Sequence, residues 1–462
     1  MVYVINSGGD SVEEKRGSVW KEVLLSFLAS LPFFTHGLET TELSSASHSG
    51  HFITSQDAIP WNATAYILGA IVSAPVYCYV VDKHGRKVGI FVVNLLQGAS
   101  CIPLFLDHDF ATVICFHVVA GIYVGGLFTV VPIYVREISS LTTKGFSLSL
   151  MMVLTTAGYA MKLVISVEWM MYLLAAMVVV QFLSFLVLLE SPSYLVMSGK
   201  MAEAKEIISQ LKCLESRDPN VSKELESLKE ESERAKSKGN LNVVGILRNP
   251  IYRDQTKIGI ILNTTTMLCG SVVFLDKDKA LFQLKMADPD KWLVLSCLCG
   301  GSLFAVMLIR ILERKYLITL GYTMMVLSMG LLAVYTQMDL TVTSLRWLAV
   351  AALGVLVFGY GMVWAMPSVV MAEIFNFEIR ATMVGIVFSY GQIVKLIHIH
   401  TYKYIEDYMG LYALFYIFTI VNMYGGVYAL FAIPDLKNKT NKQIEKQMKR
   451  IPLLSFRNAP KV

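Results

Sequence analysis

The sequence predicts an all-α membrane protein: twelve transmembrane helices in two pseudo-symmetric six-helix bundles, joined by a helical linker in the cytosol. Three observations predict it. The 462 residues are 55% hydrophobic and only 16% charged, against roughly 25% charged in soluble domains. The mean hydropathy is +0.55. The apolar residues fall in blocks of about twenty, the length that crosses a ~30 Å hydrocarbon layer as a helix. A soluble enzyme and a nucleic-acid binder are excluded, and a net charge of +5 is too small to imply a nucleic-acid partner.

The spans are expected near 22–38, 61–81, 88–106, 111–135, 146–166 and 169–189. After a polar stretch they resume near 256–275, 291–311, 317–335, 346–371, 383–401 and 410–433. Each must be helical, because unpaired backbone groups cannot face lipid. Pro32, Pro75, Pro132 and Pro367 are tolerated inside such helices and bend them. The chain divides into an N-terminal tail (1–21), a first bundle (22–189), a linker (190–255), a second bundle (256–433) and a C-terminal tail (434–462). The first nineteen residues contain no secretory core, so the first span is expected to act as an uncleaved start signal.

An even number of spans puts both termini on one side. The tails and loops of that side carry 32 of the 40 Lys and Arg residues, so the positive-inside bias makes them cytosolic, in a multi-pass protein of the cell membrane. The stretch 39–60 has no Lys or Arg and lies outside, with the glycosylation sequon Asn62-Ala63-Thr64 beside it. The seven cysteines form no C-x-x-C pair, so neither a disulfide framework nor a metal site is expected. The linker is charged and helix-prone, with opposite charges three and four residues apart, such as Glu226 with Lys229, and Pro219 separating two helices. It reads equally as a solvated connection and as a cap over the inner faces of both bundles. The basic run "KNKTNKQIEKQMKR" of the C-terminal tail reads as a solvated tail or as a contact for anionic lipid.

Two sets of six spans invite a search for duplication. The loop after the second span reads Asp82-Lys83-His84-Gly85-Arg86-Lys87, and the loop after the eighth Arg310-Ile311-Leu312-Glu313-Arg314-Lys315. After the fourth span comes Glu137, and seven residues on Lys144-Gly145; after the tenth comes Glu373, and seven residues on Arg380-Ala381. Topology alone explains the cations but not the two glutamates at matching places. Acids and bases on the inner ends of two bundles pair when those ends touch and separate when they part, which biases two arrangements of the bundles. The implied activity is solute transport by alternating access.

These segments resemble the sugar porters of the major facilitator superfamily, and among them the insect facilitated trehalose and hexose transporters. Asp82–Lys87 is similar to the D-R-x-G-R-R loop of the superfamily. "VPIYVREIS", with Pro132, Tyr134 and Glu137, resembles P-x-Y-x-x-E, and "LESPSYL", with Glu190, Ser191 and Pro192, resembles P-E-S-P-R-[WY]-L. "SGKMAEAKEIISQLK", "MAEIFNFEIRA" and "IPDLKNKT" resemble three further elements, in family order, over about 82–445. The resemblance implies the major facilitator fold and a cytosolic gate. Asp82, Arg86, Glu137, Lys144 and Glu190 would stand on the first half, Arg314, Glu373 and Arg380 on the second. It also implies a sugar site at mid-membrane and no cofactor.

That site departs from the family. The amide positions fall on Met152, Thr264, Thr265, Gly270, Leu298 and Gly391, and the P-W pair of the tenth span on Pro367-Ser368. A sugar leaves water only if its hydroxyls find partners, at about 1–3 kcal/mol for each unpaired group. The candidate replacements are Asn263, Thr264, Thr265, Trp364, Ser368 and Gln392, with Thr266 and Tyr390 beside them. Trp364 reads as a stacking face or a packing aromatic, and the threonines as ligands or as partners of their own helix backbone. Helix 1 has no carboxylate in its middle, Glu39 lying at the expected outer end, which favours facilitated uniport over proton coupling. No P-loop, H-E-x-x-H or G-x-S-x-G motif supports an enzyme. The rival expectations are a small-solute carrier of altered substrate and a non-transporting sugar sensor.

Overall fold

A computed structural model describes residues 18–46, 59–102, 110–161, 164–237, 243–271, 288–338, 345–377 and 379–451. Among the described residues every regular element is a helix. The first group is α1 (Trp20–Ala46), α2 (Ile59–His84), α3 (Arg86–Cys101), α4 (Phe110–Ile138), α5 (Lys144–Ala160) and α6 (Val167–Val187). Four shorter helices follow: α7 (Pro192–Met197), α8 (Met201–Lys212), α9 (Pro219–Ser237) and α10 (Val243–Arg248). The remainder are α11 (Pro250–Met267), α12 (Asp288–Leu308), α13 (Arg314–Gln337), α14 (Arg346–Val363), α15 (Met366–Ile374), α16 (Arg380–Met409), α17 (Leu411–Ala432) and α18 (Asn441–Met448). Among the described residues eight stretches are long and apolar enough to cross a membrane, one of them running through α14 and α15.

Local chemistry sets the breaks. Proline lacks an N–H and clashes with the carbonyl four residues back; Pro367 interrupts the tenth apolar stretch, which divides at Trp364-Ala365 into α14 and α15. Helix α11 stops at Met267, short of the expected 275, and Gly270 turns the chain with φ +91°. Helix α1 errs the other way: it runs through Glu39 to Ala46, beyond the expected end at 38. Pro103 of the expected span 88–106 and Lys162 toward the end of the expected span 146–166 lie outside the described residues.

The helices pair in a repeated order. In the first group α2 packs on α4, α1 on α5, α3 on α4, α1 on α6 and α3 on α6. The second group repeats this with α12 on α14, α11 on α16, α13 on α14, α11 on α17 and α13 on α17. Contacts between the groups run from α2 and α4 to α16, from α5 to α12, and from α4 and α5 to α15. Helices α1 and α5 meet backbone to backbone, because a Cβ on Gly37 would lie 2.2 Å from the Thr155 carbonyl oxygen and one on Gly158 2.1 Å from that of Phe34. Helices α7, α8 and α9 pack on one another, α8 also on α1 and α7 on α4.

Candidate functional site

The chain turns between α2 and α3, between α4 and α5, before α13 and before α16 gather at one end of the molecule, and there the repeated charges meet. Arg86 grips Glu137 in a fork, Nε to Oε2 at 2.9 Å and Nη2 to Oε1 at 3.2 Å, while its Nη1 donates to the Val81 carbonyl. Arg314 does the same to Glu373, Nε to Oε2 at 3.0 Å and Nη2 to Oε1 at 2.9 Å, with Nη1 on the Ile309 carbonyl. In both, the carbonyl lies five residues before the arginine. The planar guanidinium suits this two-point grip on a carboxylate.

Contacts at this end join the groups. Arg380 Nη1 lies 3.5 Å from Glu137 Oε1, so Glu137 is shared between an arginine of each group. Arg314 lies against Gly145, where a Cβ would come 1.9 Å from its Nη2. The guanidinium of Arg310, a departure from the family loop, sits 4.0 Å over the Phe146 ring. Lys144 Nζ donates to the Lys439 carbonyl at 3.1 Å. Arg86, Lys144, Arg314, Glu373 and Arg380 are all buried, and Glu137 is 1% exposed. Asp82 stands apart at 42% exposure, 3.4 Å from Arg86 Nη1.

Glu190 plays a different part. It caps α3, its carboxylate accepting from the backbone N–H groups of Arg86 at 2.9 Å and Lys87 at 3.2 Å, where the helix dipole favours an anion. Burial pushes this carboxyl above the usual carboxylate range, against the pull of the Ser191, Lys87 and Arg86 backbone N–H groups. Gly85 makes room for it: φ is +104°, and a Cβ would lie 2.5 Å from Glu190 Oε2. Ser191 Oγ donates to Glu137 Oε2 at 2.5 Å, tying the cap to the fork. Glu22, which the sequence did not single out, accepts from Ser140 N and Thr143 Oγ1 at the turn before α5.

Deeper between the groups the rings are packed. Phe128 of α4 touches Phe33 and His36 of α1, stacks on Phe388 of α16 with centroids 5.8 Å apart, and meets Trp364 edge-on at 6.2 Å. Trp364 Nε1 is buried and donates to no atom among the described residues. Ser368 on α15 and Gln392 on α16 are buried. Thr264 Oγ1 bonds the Ile260 carbonyl and Tyr390 Oη at 3.0 Å. Thr265 bonds its own helix and Tyr322 Oη, as does Thr266 to the same Tyr322, so both threonines are satisfied within the second group. Asn263 Nδ2 donates to the Gly259 carbonyl, and its Oδ1 would lie 2.8 Å from a Cβ on Gly391. Asn263 therefore fills the space where the family carries its α16 amide. Gly270 could not carry one either, since a Cβ there would lie 2.6 Å from Met329 and from Phe418. Asn62 stands in the first turns of α2, and the sequon's Thr64 is bonded to His400 Nε2 at 2.9 Å.

A second polar cluster lies about 25 Å along α1 from Glu22, by the 1.5 Å rise per residue. Glu39 is 1% exposed. It accepts from Tyr123 Oη, from Ser100 Oγ at 2.9 Å and from Cys101 Sγ at 3.4 Å. His36 Nδ1 lies 3.0 Å from Tyr123 Oη, which in turn bonds Glu39. No Lys or Arg forms an ion pair with Glu39 among the described residues. The expectation that Glu39 sits at a helix end is corrected: α1 extends past it, and α3 and α4 enclose it. The signal in the sequence was the pair His36 and Glu39 one turn apart, masked by the polar run around it.

A family model described as "Sugar (and other) transporter" matches residues 35–448. The arabinose-proton symporter of Bacillus subtilis (strain 168) is 24% identical over 457 residues, covering 92% of this chain and 94% of the relative. The facilitated trehalose transporter Tret1-2 homolog of Drosophila simulans is 23% identical over 463 residues, covering 96% and 94%. The solved structure of the major facilitator superfamily proton:xylose symporter XylE, bound to 6-bromo-6-deoxy-D-glucose, matches with a TM-score of 0.73 at 17% identity, covering 93% of this chain and 98% of that one.

Proposed function

This chain belongs to the sugar porters of the major facilitator superfamily, and from that membership we propose that it carries a saccharide or related polyol across the cell membrane by alternating access. Trehalose and hexoses are the first candidates. In this reading the first and second groups are two six-span bundles, twelve spans in all, with 190–255 and both termini in the cytosol. The charge-lined end is the cytosolic gate, closed here. The observation that carries the reading is Glu137, held by Arg86 of its own bundle and reached by Arg380 of the other.

The solute would lie between the bundles, against the rings of Phe128 and Trp364. The indole N–H of Trp364 and the side chains of Asn263, Ser368 and Gln392 are its nearest polar partners; Thr264 and Thr265 are already bonded. Such a site is mostly aromatic with few polar groups, the usual make-up of a small-ligand pocket. Uptake of labelled trehalose, glucose, xylose and a polyol into proteoliposomes tests the substrate class. We expect at least one to enter well above protein-free vesicles, and Trp364→Ala to lower that uptake by about tenfold, the worth of one lost buried partner. No uptake of any of the four by folded protein would favour a carrier of another solute or a sensor.

One observation favours a second reading of the coupling. The uniport expectation rested on a first helix without a buried carboxylate, and Glu39 removes that ground. A carboxylate enclosed among hydroxyls with no cationic partner is a group that can take up and release a proton, and ionisable residues inside a membrane mark such pathways. Proton-coupled entry is therefore proposed beside uniport, with Glu39 as the carrier of the proton.

A further inference from the structure

We propose that the segment after α17 builds a binding groove for a phosphate-bearing anion, and that its occupant steadies the closed gate. The groove holds about 450 Å³, within the range of small-ligand sites. Its lining is Lys437, Asn438, Lys439, Gln443, Lys446, Gln447 and Arg450, which includes four cations and no carboxylate.

The chain makes this surface in two steps. Helix α18 buries Ile444 and Met448 against the protein, which turns Gln443, Lys446 and Gln447, at the i, i+3 and i+4 positions, to one other face, with Arg450 in the turn just past its end. Two backbone N–H groups then settle the amides: Gln443 Oε1 accepts from Thr440 N at 3.0 Å, and Gln447 Oε1 from Asp435 N at 3.1 Å. With both oxygens occupied, the amides have only their NH₂ groups left to offer. The acids nearby are engaged elsewhere, Asp435 with Lys315 and Lys439, Glu445 with Asn376, and Glu230 with Lys442. Lys437 and Lys439 are partnered as well, by the Ile311 carbonyl and Asp435, which fixes them at the rim. Lys446 and Arg450 are exposed and form no ion pair among the described residues. A lining of hydrogen-bond donors around several positive charges recognises a compact polyanion with many acceptor oxygens, and phosphate groups meet that description.

The groove is wired to the gate. Lys439, on its rim, gives its carbonyl to Lys144 of α5. Glu445, on α18, accepts from Asn376 in the turn before α16. Lys437 N donates to Glu313 just before α13. One short segment thus holds α5 of the first group and the turns before α13 and α16 of the second, and a ligand that orders it adds to the closed arrangement.

The chemistry is shared by free organic phosphates and by phospholipid headgroups, and the test separates them. Purified full-length protein is placed in phosphatidylcholine nanodiscs, with or without added sodium pyrophosphate, and in nanodiscs containing phosphatidylinositol phosphate. Hydrogen exchange is followed in peptides covering 437–450. We expect exchange there to slow several-fold with pyrophosphate if the ligand is soluble, or only in the phosphoinositide discs if it is a lipid. The double variant Lys446→Gln with Arg450→Gln, which leaves the gate charges untouched, is expected to lose that protection. Protection by neither probe, or equal protection in the double variant, overturns the proposal. The readout is binding, so it stands or falls independently of sugar transport.

Discussion

Glu137→Gln is expected to open the charge-lined end. The glutamate satisfies two buried arginines at once, Arg86 within its own group and Arg380 across the gap. Removing one partner of a buried ion pair costs about 3–5 kcal/mol, because the other charge stays dry. The penalty falls on the closed arrangement, since Arg380 reaches water once the ends part. About 3 kcal/mol is roughly a hundredfold in the ratio of closed to open. Spin labels at Leu141 and Ile311, which are exposed beside the two halves of the gate, read the change after exposed Cys115 and Cys213 are replaced by serine. The wild type should show mostly the short separation and Glu137→Gln mostly a longer one. An unchanged distribution in folded variant protein would mean that the charges stabilise each group alone and do not govern the gap.

Glu39→Gln is expected to uncouple uptake from the proton gradient. Glutamine keeps the size of the side chain and one accepting oxygen for Tyr123 or Ser100, but it cannot exchange a proton. A gradient of about two pH units offers about 2.7 kcal/mol per proton, enough for about a hundredfold accumulation. Wild-type vesicles are expected to concentrate sugar when the outside is acidic, and Glu39→Gln vesicles only to equilibrate it. Wild-type uptake that ignores the gradient would return the protein to uniport. Accumulation retained in Glu39→Gln would move the proton to another group.

The helices were legible because apolar runs at membrane length leave the backbone one solution, and among the described residues eight of the expected spans coincide with stretches long and apolar enough to cross a membrane. Their ends were less so. The polar run after Leu38 reads as a loop, and only the walls supplied by α3 and α4 make it a buried turn of helix around Glu39. Gly270 reads as a lost amide, whereas its positive φ and the closeness of Met329 and Phe418 leave space for hydrogen alone. Thr265 and Thr266 read either as ligands or as partners of their own helix backbone; Tyr322, brought up by α13, takes both hydroxyls. The spacing of Glu137 and Glu373 was visible in the chain, but which arginine each would hold depended on helices far apart in sequence. Glu313 looked like a misplaced acid where the loop expects glycine; its carboxylate accepts from Lys437 N, a partner 124 residues away.

Counterflow bears most directly on whether this is a sugar carrier. Proteoliposomes loaded with unlabelled sugar and diluted into a trace of the labelled sugar, with no pH gradient, should show the label rising transiently above equilibrium, because a carrier that exposes one side at a time returns loaded more often than empty. A monotonic approach to equilibrium, or no protein-dependent entry across the four solutes, would contradict alternating access to a saccharide.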